Sequence, residues 1–106
     1  IVAIKGILNG TTNYILTKME QEGADFDAVL KDAQALGYAE ANPEADVEGH
    51  DACRKISILS SLGFGKTVDY KEVYTEGITK ITLEDVEYAA TAGCVIKLIG
   101  KCKLLD

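Results

Sequence analysis

Between Ala39 and Lys55 the chain reads AEANPEADVEGHDACRK, placing Glu40, Glu44, Asp46, Glu48 and Asp51 in quick succession, with Lys55 one helical turn beyond Asp51. A lysine four residues after an aspartate lies beside it on a helix. In a partly dry cleft such a pair can give a proton to a substrate oxygen or take one from it. Spare carboxylates suit a substrate ammonium. Asp51 and Lys55, with Glu40 and Asp46 arriving from the preceding turn, therefore describe a pocket for a small zwitterion with an oxygen function, such as an amino acid. On a fully solvated helix face the same pair would be a surface ion pair contributing about 0.3–0.5 kcal/mol. Which way the pair faces separates the two cases.

At about 100° per residue, a helix over residues 49–62 puts His50, Arg54, Ser57 and Ser61 on one polar stripe, the expected water side. Ala52, Ile56 and Leu59 form the opposite, core-facing stripe. Asp51 and Lys55 belong to neither, and their stripe continues into Ile58 and Leu62, which favour burial. The pair is expected on a flank that becomes interior one turn later, where charges are costly unless paired or used. His50, on the wet stripe, is given no catalytic or metal role. The carboxylates lack the D-x-D-x-D-G spacing of a calcium loop and Lys55 opposes a cation, so no metal site is expected.

The elements that must position these residues can be read from caps and periodicity. Ile1–Leu8 has the β-branched content of a strand. Asn9-Gly10-Thr11-Thr12 is a break that can start a helix over about Thr12–Glu22 through a threonine cap, with Gly23 as its stop. The same turn can cradle an anion at a helix N-terminus, which makes Gly10 the candidate cofactor contact. Asp25 caps a second helix bearing Phe26, Val29, Leu30, Ala33 and Leu36 at helical spacing, ended by Gly37. Asn42-Pro43 opens a helical stretch that bends at Gly49, runs to about Leu62 and closes at Gly63-Phe64-Gly65. A short extended piece is expected near Val73–Tyr74, a Thr82-capped helix over Leu83–Ala92, and a strand over Cys94–Leu104 with Lys97, Lys101 and Lys103 on its solvated face. This order predicts an α+β fold, a small sheet covered on one face by helices. Two apolar strands have too few neighbours here, so the sheet is expected to need further sequence or a second subunit.

Bulk properties exclude several classes. The 106 residues suit one domain, and 47% hydrophobic with 26% charged residues is a globular balance. A net charge of −6 without a Lys/Arg cluster argues against nucleic acid and anionic membrane surfaces as partners. No apolar run approaches the roughly 20 residues of a membrane span. Cys94 and Cys102 are too far apart along an expected strand to bridge, so the three cysteines read as reduced thiols of a cytoplasmic protein. The chain opens on IVAIKGIL and stops after VIKLIGKCKLL, ends that read as those of a piece of something longer.

The pattern Ala33-x-x-x-Gly37-Tyr38-Ala39-Glu40-Ala41-Asn42-Pro43-x-x-Asp46-Val47-x-Gly49-x-Asp51-x-x-x-Lys55 resembles the signature of homoserine dehydrogenases. GILNGTTNYIL resembles that family's strand-to-helix passage, and EGITKITLEDVEYAATAGCVIKLIG its later helix and strand, so the resemblance covers essentially the whole chain. It implies that residues 1–106 are part of a substrate-binding, catalytic and dimerisation domain. The implied fold is like the C-terminal catalytic domain of glyceraldehyde-3-phosphate dehydrogenase. The implied reaction interconverts aspartate 4-semialdehyde and homoserine with NAD(P)H, on the route to threonine and methionine, in a homodimer.

Carried over by position, Lys55 matches the acid/base lysine and Asp51 the carboxylate beside it. Glu40 matches the group that binds the substrate ammonium, Asp46 a further pocket carboxylate, and Thr11 and Tyr38 positions that contact substrate, partly through backbone. Glu44 and Glu48 are left to water. The family's nucleotide-binding domain has no counterpart, since nothing follows G-x-G-x-x-G, and the ligands of its monovalent cation are missing too. The 106 residues alone are accordingly expected to be inactive. Alternatives from other classes are a non-catalytic dimerisation or assembly module and a free-standing amino-acid sensor.

Overall fold

Capping chemistry sets the helix boundaries in the computed structural model, which describes residues 3–104. The elements are β1 (Ala3–Gly6), α1 (Gly10–Glu22), α2 (Phe26–Ala35), α3 (Glu44–Val47), α4 (His50–Phe64), a 3-10 turn (Tyr70–Glu72), α5 (Leu83–Thr91) and β2 (Gly100–Lys103). The cap of α1 is Asn9, whose side chain accepts from the Thr12 N–H, so the helix starts two residues earlier than a threonine cap would allow. Gly23, left-handed at φ 62, ends it by donating to the Met19 carbonyl. Asp25 caps α2 through the Ala28 N–H. At α5 the Thr82 hydroxyl and the Asp85 carboxylate each accept from the other's backbone N–H, a full capping box.

The stretch after Asn42 is two helices. Pro43 takes the N-cap position of the single turn α3, and Gly49 at φ 86 breaks the chain before α4. A Cβ on Gly49 would lie 3.0 Å from Thr75 Cγ2, and one on Gly77 would lie 2.5 Å from both Glu48 Cα and the Val47 carbonyl oxygen. Residues 75–78 therefore rest directly on the α3–α4 joint, fastened by the Ile78 N–H donating to Val47 O at 2.7 Å. That joint holds Asp46 on one side and Asp51 on the other.

The fold is α+β, with an antiparallel sheet of two short strands running in register from Ala3↔Lys103 to Gly6↔Gly100. Both expected strands are longer than the ladder that forms, although Ile1, Val2, Leu105 and Asp106 lie outside the described residues. Residues 94–99 have no strand partner. Ile96 and Leu98 instead pack against the helical core, and Lys97 leaves the expected solvated face to donate to Thr17 Oγ1 on α1 at 2.7 Å. Lys101 and Lys103 are exposed. Val73–Tyr74 forms no strand; the 3-10 turn precedes it.

The core is built on α1. Its Ile15, Leu16 and Met19 are buried together with Val29, Val47, Ile78 and Val86. Each such side chain contributes about 1.5–3 kcal/mol on burial. This packing fixes α1, and with it the loop residues Leu8 and Asn9 that lead into it.

Candidate active site

Asp46 lies in α3, Asp51 in the first turn of α4 and Lys55 one turn later. Asn9 brings the three together. Its Nδ2 donates to Asp46 Oδ1 at 2.8 Å and to Asp51 Oδ2 at 2.9 Å, while its Oδ1 accepts from the Thr12 N–H and hydroxyl at 2.8 and 2.9 Å. Lys55 Nζ lies 2.9 Å from Asp51 Oδ2 and donates to the Leu8 carbonyl at 2.8 Å. An ammonium has three N–H donors. Two are committed to Asp51 and Leu8, and the third has no partner among the described residues.

The facing expected from sequence is only partly realised. Ala52 and Ile56 are buried, but Leu59 reaches the surface, and Ile58 and Leu62 are 58% and 79% exposed. Ser57, expected in water, is buried. Its hydroxyl donates to Cys53 O, as that of Ser60 donates to Ile56 O, so each serine satisfies its polarity within the helix and can enter the core. The Asp51 and Lys55 side chains are 34% and 48% exposed, a half-open flank. They differ from an ordinary surface pair in their anchoring: a buried amide and a backbone carbonyl from a distant loop grip both partners. The Asn9 amide holds the Asp51 carboxyl below its ordinary value. Lys55 and the more distant Arg54 act in the same direction, and partial burial opposes them.

A second cluster forms on the other side of the same loop. Thr11 Oγ1 donates to the Tyr38 carbonyl at 2.9 Å, and the Tyr38 ring meets Tyr14 edge-on with centroids 5.1 Å apart. Gly10, Thr11, Tyr14 and Tyr38 line a hollow of about 390 Å³. Glu40 follows two residues after Tyr38, in a turn fixed by Gln34 Nε2 donating to the Glu40 carbonyl. Its carboxylate is exposed and, among the described residues, makes no hydrogen bond to Asp46, Asp51 or Lys55. Glu44 is exposed as expected, whereas Glu48 accepts from Thr79 Oγ1 at 2.6 Å instead of facing only water. Residues 8–11 thus touch both halves in turn: Leu8 and Asn9 reach the Asp–Lys pair, and Thr11 reaches Tyr38. A separate cavity of about 320 Å³ between the start of α4, residues 73–76 and residues 98–101 contains neither Asp51 nor Lys55.

Sequence reasoning missed Asn9 and the Leu8 carbonyl. Asn9 carried a local signal, an Asn before Gly at the end of an apolar run, but its partners lie 37 and 42 residues away.

A sequence model of the homoserine dehydrogenase family matches residues 1–105. The chain belongs to the homoserine dehydrogenase family. A homoserine dehydrogenase of Synechocystis is 60% identical over 100 residues, covering 94% of this chain and 23% of the relative. The crystal structure of Staphylococcus aureus homoserine dehydrogenase at pH 6.0 superposes with a TM-score of 0.98 at 45% identity, over 100% of this chain and 27% of that one. A hyperthermophilic archaeal homoserine dehydrogenase mutant, solved in complex with NADPH, superposes with a TM-score of 0.77 at 29% identity, over 97% of this chain and 28% of that one. The chain spans about a quarter of the length of the curated relatives it matches.

Proposed function

We propose that this chain supplies the proton-transfer and amino-acid-binding part of a homoserine dehydrogenase, interconverting aspartate 4-semialdehyde and homoserine on the route to threonine and methionine. The observation that carries this reading is the Lys55 ammonium, held by Asp51 and the Leu8 carbonyl with one N–H to spare. NAD(P)H, when bound, supplies the hydride. As negative charge grows on the aldehyde oxygen, Lys55 stands ready to give it a proton, and it takes that proton back in the reverse direction. Asp51 keeps the ammonium in place. Glu40 binds the substrate ammonium, Asp46 is a further carboxylate of the pocket, and Thr11 with Tyr38 forms the neighbouring wall.

Family membership and the archaeal complex support NAD(P) as the cofactor. Gly10 offers the nicotinamide end an open approach, since a Cβ there would meet nothing within 4 Å. Nothing in the chain follows the Gly-rich dinucleotide turn, so the body of the cofactor is held elsewhere and the 106 residues alone do not turn over substrate. Among the described residues no three His, Cys, Asp or Glu side chains converge as metal ligands. No described helix is long and apolar enough to cross a membrane. The three free cysteines support a cytoplasmic setting. The helix-backed antiparallel pair supports the reading as part of a glyceraldehyde-3-phosphate-dehydrogenase-like catalytic domain.

The exposed Ile58 and Leu62 on α4 favour a second role, assembly into a homodimer. Lys55→Ala in the enzyme that carries this chain separates the two. Loss of turnover with the dimer intact supports the chemistry. Near-normal turnover, with or without the dimer, overturns it.

A further inference from the structure

We propose that Asn9 is a positioning residue whose amide, oriented by Thr12, sets Asp51 and Asp46 in place and through Asp51 aims Lys55. This rests on the reading of Lys55 as the proton donor given above. Asn9 is 5% exposed and every hydrogen-bonding position of its amide is used. The orientation of that amide is not a matter of choice. The Thr12 backbone N–H can only donate, so the atom 2.8 Å from it is the amide oxygen, and the NH2 group must face the carboxylates.

The two NH2 hydrogens go one each to carboxylates from different helices, across the Gly49 break. Without that donor, Asp46 and Asp51 lose the NH2 group they share, and Asp51 keeps only Lys55 and the weaker pull of Arg54 to favour its ionised form. Leu8, the preceding residue, holds Lys55 through its carbonyl. Two consecutive residues, rigidly joined to α1, therefore fix both members of the ion pair. Thr12, fully buried, completes the chain of orientation from the core outward. A cap alone needs only the Asn9 oxygen; the donor half of the amide is surplus to helix capping and points at the site.

Asn9→Asp and Asn9→Ser test this in the enzyme that carries the chain, because both keep a cap oxygen and remove the NH2 group. Aspartate leaves no donor, and serine at most one O–H on a shorter side chain in place of two N–H. Asn9→Asp also adds a third carboxylate. Expected for Asn9→Asp is a fall in kcat on the order of 100-fold, with a lowered melting midpoint, because a buried carboxylate then stands against two others. The acid limb of the kcat/KM profile moves to higher pH, because Asp51 loses the hydrogen bond that favours its ionised form. Asn9→Ser shows the same direction with a smaller shift. A merely structural cap would leave the pH limb where it is. If Asn9→Asp fails to fold, Asn9→Ser carries the test. Parent-like kcat and an unmoved acid limb in a folded Asn9→Ser enzyme overturn the proposal. If Lys55→Ala abolishes turnover while both Asn9 variants match the parent, only the role of Asn9 falls. If Lys55→Ala is itself near normal, the underlying reading falls with it.

Discussion

Replacing Gly77 by alanine should strike the joint that spaces Asp46 from Asp51. The added Cβ would stand 2.5 Å from Glu48 Cα and from the Val47 carbonyl oxygen, and 2.9 Å from the Glu48 carbonyl carbon. Ordinary heavy-atom contact lies at about 3.5–4.0 Å, and all three neighbours are backbone, with no side-chain end free to swing aside. The 75–78 segment must therefore lift by roughly 1 Å. Overpacking of this kind costs about 1–3 kcal/mol. The lift also strains the Ile78–Val47 hydrogen bond, itself contributing about 0.5–1.5 kcal/mol. Together these give a destabilisation of about 2–4 kcal/mol, or a fall of about 10 °C or more in melting midpoint for a chain of this size. Thermal unfolding followed by circular dichroism measures it. Gly65→Ala is the internal comparison: its φ is 66 but nothing lies within 4 Å, so only left-handed strain of about 1–2 kcal/mol applies. If Gly77→Ala melts with or above Gly65→Ala, the close seating of residues 75–78 on the joint is wrong.

Two further outcomes follow from the caps and charges. Thr82→Ala should cost about 1 kcal/mol by opening the capping box with Asp85, read as a lower urea midpoint with unchanged slope; no shift in midpoint would contradict the box. The Asp51 carboxyl sits below its unfolded value of 3.8, so its contribution to stability is complete above that value and is lost as pH falls through the lower folded one. The stability gap between the parent and Asp51→Asn should therefore hold from neutral pH to about pH 5 and close below about pH 4. A gap that persists undiminished to pH 2 would show that Asp51 is not held in its ionised form.

Much of the helical frame was legible because caps are local. Asp25, Thr82, Gly23 and the Gly49 break each act within one turn, and each stands where the sequence placed it. The faces of α4 were less legible, since residue polarity is a poor guide where serines bond back to their own helix. Ser57 is buried for that reason, and the exposure of Ile58 and Leu62 removes the stripe that was expected to shelter Lys55. The pair is held on a half-open flank by Leu8 and Asn9, contacts across more than forty residues that no local pattern reports for Lys55 and Asp51. Strand lengths failed for a related cause: apolar content says that Ile96 and Leu98 are buried, but only a partner strand decides whether burial is in a sheet. In sequence the carboxylate-rich stretch reads as divided between ligand-facing and water-facing residues. In the structure Asp46 and Asp51 accept from Asn9, Glu48 accepts from Thr79, and Glu40 and Glu44 are exposed.

The most direct test is the distance from Lys55 Nζ to the 4-oxygen of homoserine in a crystal of the enzyme that carries this chain. That oxygen should lie at about 2.7–3.2 Å on the free N–H of Lys55, with the bonds to Asp51 and Leu8 kept. Homoserine seated elsewhere, or an oxygen beyond hydrogen-bond reach with Lys55 turned to solvent, would contradict proton transfer by this lysine.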